Sequence, residues 1–215
     1  MKDIAIFGAG GFGREVLTLI QDINEGNPIW NVIGFFDDGK EIGYECHGYK
    51  VLGGTKELKE WKSQISLVIA VGTPIIKKKI LNSICDNEYI DYPSLIHPTV
   101  IIGDTDYVKI GKGCIICANN ILTCDIILGD FVTLNLACTV GHDTIIKDYS
   151  AFMPACNISG ECVINERVYC GTGAKIINQI SVGEETIIGA GAVVVKSLPG
   201  FCTAVGTPAK VIKYK

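Results

Sequence analysis

IGKGCI ICANNI LTCDII LGDFVT LNLACT VGHDTI IKDYSA FMPACN ISGECV INERVY CGTGAK IINQIS VGEETI IGAGAV: residues 110 to 193, written in words of six, open every word on an apolar residue or cysteine. The heads are Ile110, Ile116, Leu122, Leu128, Leu134, Val140, Ile146, Phe152, Ile158, Ile164, Cys170, Ile176, Val182 and Ile188, and Val194 opens the next word. Four places after a head the residue is usually small, as at Cys114, Cys138, Thr144, Ser150, Cys156, Cys162, Ala174, Thr186 and Ala192. Self-similarity at a period of six is the sequence mark of a hexapeptide β-helix. Three words make one triangular coil, so residues eighteen apart stack. Residues 110–199 then give five coils, a prism roughly 20–25 Å tall at about 4.8 Å per coil. The period alone leaves the hand open; prisms of this kind coil left-handed, against the usual rule for parallel crossovers.

Working back, the register begins at Ile96 and Ile102 and slips by two residues around Asp104–Val108. Tyr92-Pro93-Ser94-Leu95-Ile96-His97-Pro98 holds two prolines, which resist helix and central strand alike. We place a boundary there, giving domains 1–93 and 94–215, with His97 marking the first coil. Forward, the register ends at Pro199-Gly200, and a tail with Gly206-Thr207-Pro208-Ala209-Lys210 follows.

The first domain opens with an apolar run, residues 2–7, then Gly8-Ala9-Gly10-Gly11-Phe12-Gly13, then a helical pattern through Val16, Leu17, Leu19, Ile20 and Ile23. Strand, glycine turn and helix at GxGxxG spacing fit a nucleotide-binding loop, in which backbone N–H groups at a helix N-terminus meet phosphate. The spacing alone also fits a tight turn in an ordinary α/β unit. Its context strengthens the first reading, because a second strand (residues 32–36) ends in Asp37-Asp38, where acidic groups commonly receive ribose or base hydrogen bonds. A hairpin around Tyr49–Leu52, a short helix around Thr55–Trp61 and a third strand, Ser66–Val71, closed by Gly72-Thr73-Pro74, come next. A helix through Ile75–Cys85 carries Lys77, Lys78 and Lys79, read as a solvated face. A dinucleotide fold needs two βαβαβ halves, and fewer than 95 residues precede the repeats. A mononucleotide suits the space better. The fold class is therefore an α/β N-terminal Rossmann-like domain plus a C-terminal left-handed parallel β-helix of hexapeptide repeats.

Composition narrows the function. A net charge of −4 argues against a nucleic-acid binder. The N-terminal apolar run breaks at Gly8 and soon meets Arg14 and Glu15, unlike a signal peptide. No apolar run reaches the ~18 residues of a membrane span. We expect a cytoplasmic protein with no membrane partner. The lone CxxC, Cys114 and Cys117, has no second pair, and half of the ten cysteines fill slots of the repeat as small hydrophobes. We expect no bound metal.

Three histidines exist, and His142 is the one embedded in the repeat, two places after the inward Val140 and so turned outward near a corner. Asp143 follows and can hold the imidazole in one tautomer, an arrangement suited to a general base. Eighteen residues on lies Gly160, where a missing side chain leaves room for a thin ligand and a backbone N–H for a developing oxyanion. Asn135 can orient substrate or His142. An exposed histidine of no consequence is the alternative at this point.

The chain resembles the NeuD family of hexapeptide-repeat acetyltransferases, relatives of the bacillosamine-pathway enzymes that N-acetylate nucleotide-linked 4-amino sugars. The resemblance covers nearly the whole length. It rests on Gly8 to Val16, on Phe36-Asp37-Asp38, on Asn135 to Asp143, on Gly171-Thr172-Gly173-Ala174, on Ile188 to Val194 and on Gly206 to Lys210. It implies a homotrimer with acetyl-CoA, the co-substrate, bound at subunit interfaces along the prisms. His142 would be the general base, supported by Asp143 and Asn135. The nucleotide-linked amino sugar, UDP- or dTDP-bound, would lie on Gly10, Gly11, Phe12, Asp37, Asp38 and Gly72. Ala151, Gly160, Thr172, Gly173, Ala190 and Lys210 would border the coenzyme. No acetyl-enzyme is implied, since the bound acceptor can attack the thioester directly. Two departures stand out: many relatives carry histidine at the position of Phe12, and a second histidine near the thioester at that of Ala151. The expected activity is N-acetylation of a nucleotide-linked 4-amino-4,6-dideoxy sugar. O-acetylation of sialic acid or another hydroxyl, a non-catalytic trimeric scaffold and a nicotinamide oxidoreductase are the alternatives.

Overall fold

The computed structural model describes residues 1–26 and 28–215. In its N-terminal part, β1 (Lys2–Phe7) is buried on both sides from Ile4 to Phe7, as its unbroken apolar run requires of a parallel strand covered on two faces. It lies in a sheet with β2 (Trp30–Phe36), β3 (Glu45–Cys46), β4 (Tyr49–Gly53), β5 (Ile65–Ile69) and β6 (Ile90–Asp91), in the order β3-β4-β2-β1-β5-β6. All pairs are parallel except the β3/β4 hairpin. α1 (Gly11–Gly26) buries Val16, Leu17 and Ile20 against one face, with Ile4, Ile6, Phe35 and Val68. α2 (Thr55–Lys59) and α3 (Pro74–Ile84) cover the other through Leu58, Ile80, Leu81 and Ile84. No helix among the described residues is long and apolar enough to cross a membrane.

From Leu95 the chain winds into the left-handed β-helix. Its first face stacks Leu95–Ile96, Ile115–Ile116, Thr133–Leu134, Ala151–Phe152, Tyr169–Cys170 and Ile187–Ile188. The second stacks Ile101–Ile102 through Thr139–Val140 to Val193–Val194, and the third Lys109–Ile110 through Ile145–Ile146 to Ser181–Val182. Every head residue from Ile116 to Val194 is at most 2% exposed, and the five repeat cysteines are fully buried, so the period of six is the packing period of the core. Corners repeat with it. Asn119, Asp125, Phe131, Ala137, Asp143, Tyr149, Ala155, Glu161 and Arg167 all have φ between 54° and 63°. Left-handed backbone strains an L residue, and a hydrogen bond to the preceding coil offsets it, as in Asp143 N–H to the Cys124 carbonyl (3.2 Å) and Glu161 N–H to that of His142 (2.8 Å).

The prism is longer than five coils. Ile115 pairs with Leu95 and Ile121 with Ile101, each twenty residues apart, so the two-residue slip sits inside a complete first coil. At the far end the tail does not leave the prism at Pro199. Cys202–Val205 pairs in parallel with Ile187–Ile188, and Lys210–Tyr214 returns antiparallel to it.

The N-terminal sheet and helices straddle the first face. Leu95 and Ile115 point out of the prism there and are buried with the α1 residues. Phe131, at the corner between the third and first faces, enters the core shared with α3, stacked on Tyr149 and edge-on to Tyr92. His97 in the first coil sits 3.0 Å from Asp22 of α1.

Candidate functional site

The glycine loop is built as its spacing requires. A side chain at Gly13 would run into the Gly8 carbonyl oxygen, so the third glycine permits the close approach of α1 to β1. Gly10 and Gly11 have open space where a Cβ would stand. Phe12 packs partly onto the α1 core rather than standing free. A cleft of about 410 Å³ opens beside the loop, lined by Gly8, Asp37, Asp38, Thr55, Ile76 and Lys79. Gly72 closes β5 within 3.9 Å, measured from the position of a Cβ, of the Met153 methyl on the prism.

Asp37 and Asp38 line the cleft with part of their hydrogen-bonding capacity already used. Asp37 accepts from Ala9 N–H (2.7 Å) on one oxygen and from Gly39 N–H (2.8 Å) on the other, bracing the glycine loop. Asp38 Oδ1 accepts from Thr55 N–H (2.6 Å) and Thr55 Oγ1 (2.9 Å) at the start of α2. Both are structural parts of the cleft wall.

On the prism, His142 and Asp143 occupy the edge between the second and third faces. His142 Nδ1 lies 2.8 Å from Asp143 Oδ2. An ionised carboxylate only accepts, so in the neutral imidazole the proton sits on Nδ1 and Nε2 carries the lone pair, which can take a substrate proton. The ring lies across Gly160 in the next coil: a Cβ there would stand 2.5 Å from Nε2 and 2.6 Å from Cε1. This corrects the sequence expectation. The space a side chain would take at Gly160 is filled by the imidazole, so the glycine seats the His142 ring. The side chains of His142 and Asp143 are 56% and 60% exposed, too open for their contact to be strong in one chain.

Asn135 belongs to a different edge, between the first and second faces. It is buried, and its Oδ1 accepts from Leu136 N–H (2.7 Å). Thr172, Gly173 and Ala190 share that edge in stacked coils, Gly191 N–H reaching the Thr172 carbonyl at 2.8 Å. Lys210 is exposed on the last strand. Ala151 is a second correction. It is fully buried on the first face, which the N-terminal part covers, and presents no surface to a coenzyme. One chain thus gathers His142, Asp143 and Gly160 on one edge and Thr172, Gly173 and Ala190 on another, with the second face between them.

Lys77 was missed. Three successive lysines on a helix do not reveal which one faces inward. It is 1% exposed and donates to the Phe131 carbonyl (2.9 Å) and Thr133 Oγ1 (2.7 Å), where burial brings its amine down to about 7.

The sequence profile of the PglD N-terminal domain matches residues 3–84. The chain is similar over 99% of its length to a mutant of the perosamine N-acetyltransferase of Caulobacter crescentus solved with CoA and GDP-perosamine, at 26% identity, 98% coverage of that chain and a TM-score of 0.88. It is similar over 98% of its length to the acetyltransferase domain of PglB from Neisseria gonorrhoeae FA1090 with acetyl coenzyme A, at 31% identity, 99% coverage and a TM-score of 0.87. WeeI from Acinetobacter baumannii AYE matches at 31% identity over 99% of this chain and 100% of its own, with a TM-score of 0.87. No curated protein matches the sequence.

Proposed function

Because the chain belongs to the NeuD/PglD-type family of hexapeptide-repeat sugar acetyltransferases, we propose that it moves the acetyl group of acetyl-CoA onto the amine of a nucleotide-linked 4-amino-4,6-dideoxy sugar. The observation that carries this is the free Nε2 of His142, its Nδ1 proton held by Asp143, on an exposed prism edge. The acceptor amine attacks the thioester carbonyl carbon, a C–N bond forms, and the tetrahedral oxyanion collapses with loss of the CoA thiolate. His142 Nε2 takes the ammonium proton and returns it to the thiolate. Removing a positioned base typically costs ~10²–10⁴-fold in rate.

Two features support a homotrimer as the working form. The base and the Thr172–Ala190 column lie on different edges of one prism, so a second prism set against the first would bring one edge of each together. Apolar residues, among them Ile121, Ile127 and Ile145, are exposed on the second and third faces, the surfaces such packing would cover. We place the working boundary of the nucleotide-sugar domain at residue 93, with the acyltransferase domain from 94 onward. The cleft walled by Gly8, Asp37 and Asp38, together with the neighbouring Gly10, Gly11 and Gly72, would hold the nucleotide, its sugar reaching toward a neighbouring prism.

The test is release of CoA thiol across a panel of UDP-, dTDP- and GDP-linked amino sugars and their hydroxyl counterparts. Thiol release with an amino sugar and not with its hydroxyl counterpart supports the proposal. Release with hydroxyl sugars alone replaces it with O-acetylation.

A further inference from the structure

Two sides of α3 address two places. Ile76, Lys79 and Ser83 line the cleft beside Gly8 and Asp37. Lys77 points instead into the prism and is almost wholly buried, with Nζ donating to the Phe131 carbonyl at 2.9 Å and to Thr133 Oγ1 at 2.7 Å. Among the described residues no carboxylate pairs with it. A lysine held without a counter-ion serves through its donors, and a neutral amine has two N–H groups for these two acceptors.

The surroundings fit that role. From the prism, Cys114 faces the amine with its thiol pushed up to about 11 by burial, and Asp130 turns Oδ1 to Lys112 N–H (3.0 Å). From the connecting segment, Tyr92 lies edge-on to Phe131, its phenol raised to about 12 by burial. On α3 itself, Lys78 turns away to Glu166 (3.9 Å) and the Tyr149 ring (5.4 Å). The acceptors are stiff. Phe131 sits at a left-handed corner tied by its own N–H to the Lys112 carbonyl (2.8 Å), and its ring stacks on Tyr149 at 5.7 Å.

We propose that Lys77 is a positioning residue that pins α3, one wall of the cleft, to Phe131 and Thr133 of the prism, and so sets where a nucleoside diphosphate in the cleft presents its sugar. This rests on reading the cleft as the nucleotide site. It gives the two-part chain a defined joint, through which a contact with no ligand controls acceptor geometry.

Calorimetric binding of UDP, dTDP, GDP and CoA to full-length wild type, Lys77→Met, Thr133→Val and the double variant tests it. Thr133→Val is near-isosteric and removes one acceptor, so it decides the matter if Lys77→Met does not fold. For whichever nucleotide the wild type binds, Kd should rise about tenfold in Lys77→Met, which loses both hydrogen bonds, and about threefold in Thr133→Val, which loses one. The double variant should be no weaker than Lys77→Met, since both remove one shared contact. The Kd for CoA should stay within about twofold, a split that general loosening of the fold would not produce. Nucleotide Kd unchanged in both folded single variants, or nucleotide and CoA weakening together, overturns the inference. A wild type that binds none of the three nucleotides overturns the reading of the cleft instead.

Discussion

The imidazole of His142 lies across the backbone of Gly160, so close that a methyl group at Gly160 would stand 2.5 Å from Nε2. The ring is seated by an absence of side chain. Gly160→Ala should therefore act as a partial loss of His142, displacing the ring without touching the core. Turnover should fall by about 10–10²-fold, a fraction of a full base deletion, while the unfolding midpoint stays near wild type. Steady-state thiol release and a thermal melt check both halves.

Asp143 accepts the Nδ1 proton of His142 at 2.8 Å. In Asp143→Asn the amide can donate to Nδ1 instead, which favours the tautomer with its proton on Nε2 and blocks that nitrogen as a base. We expect kcat to fall by roughly 10²-fold, less than for a buried triad aspartate because this pair is half exposed. Equal kcat in Asp143→Asn and wild type would remove the tautomer argument.

Lys77 makes stability depend on pH in a defined window. The unfolded chain holds its proton up to about 10.5, the folded chain only up to about 7. Between those values unfolding takes up a proton, so stability rises with pH, by at most ~1.4 kcal/mol per unit. Below about 7 both states are protonated and the contribution is level. The wild-type unfolding midpoint should climb from pH 7 to 10 relative to that of Lys77→Met, and parallel curves for the two proteins would contradict it.

Arg167 gathers carboxylates from its own and the next coil. Its guanidinium contacts Glu166, Glu184 (2.8 Å) and Glu185 (3.0 Å), which keeps the Glu185 carboxyl below its ordinary value despite burial. Arg167→Ala leaves these acids facing one another and should cost about 1–3 kcal/mol. Added salt should recover part of the loss by screening. Chemical denaturation at two salt concentrations measures both effects.

The prism was legible because one period sets packing throughout. Each head residue points inward whatever its neighbours are, so Leu134, Phe152 and Val194 could be placed by counting. His142 was placed outward by the same count. Counting fails where a distant part of the chain covers a face. Ala151 takes an outward slot and is buried, since the N-terminal part lies over the first face. Phe131 takes a corner slot and becomes a core residue of the other part. Lys77 looked like its solvated neighbours because the difference lies in which side of α3 meets the prism. Asp37 looked like a ligand group because a residue at a strand end can serve substrate or loop, and only the Ala9 and Gly39 amides show that it braces the loop.

The most direct measurement is the turnover of His142→Ala with acetyl-CoA and the best acceptor of the sugar-nucleotide panel. We expect a kcat about 10²–10⁴-fold below wild type, with CoA affinity and oligomeric state unchanged. Turnover within about twofold of wild type would contradict it and take His142 out of the chemistry.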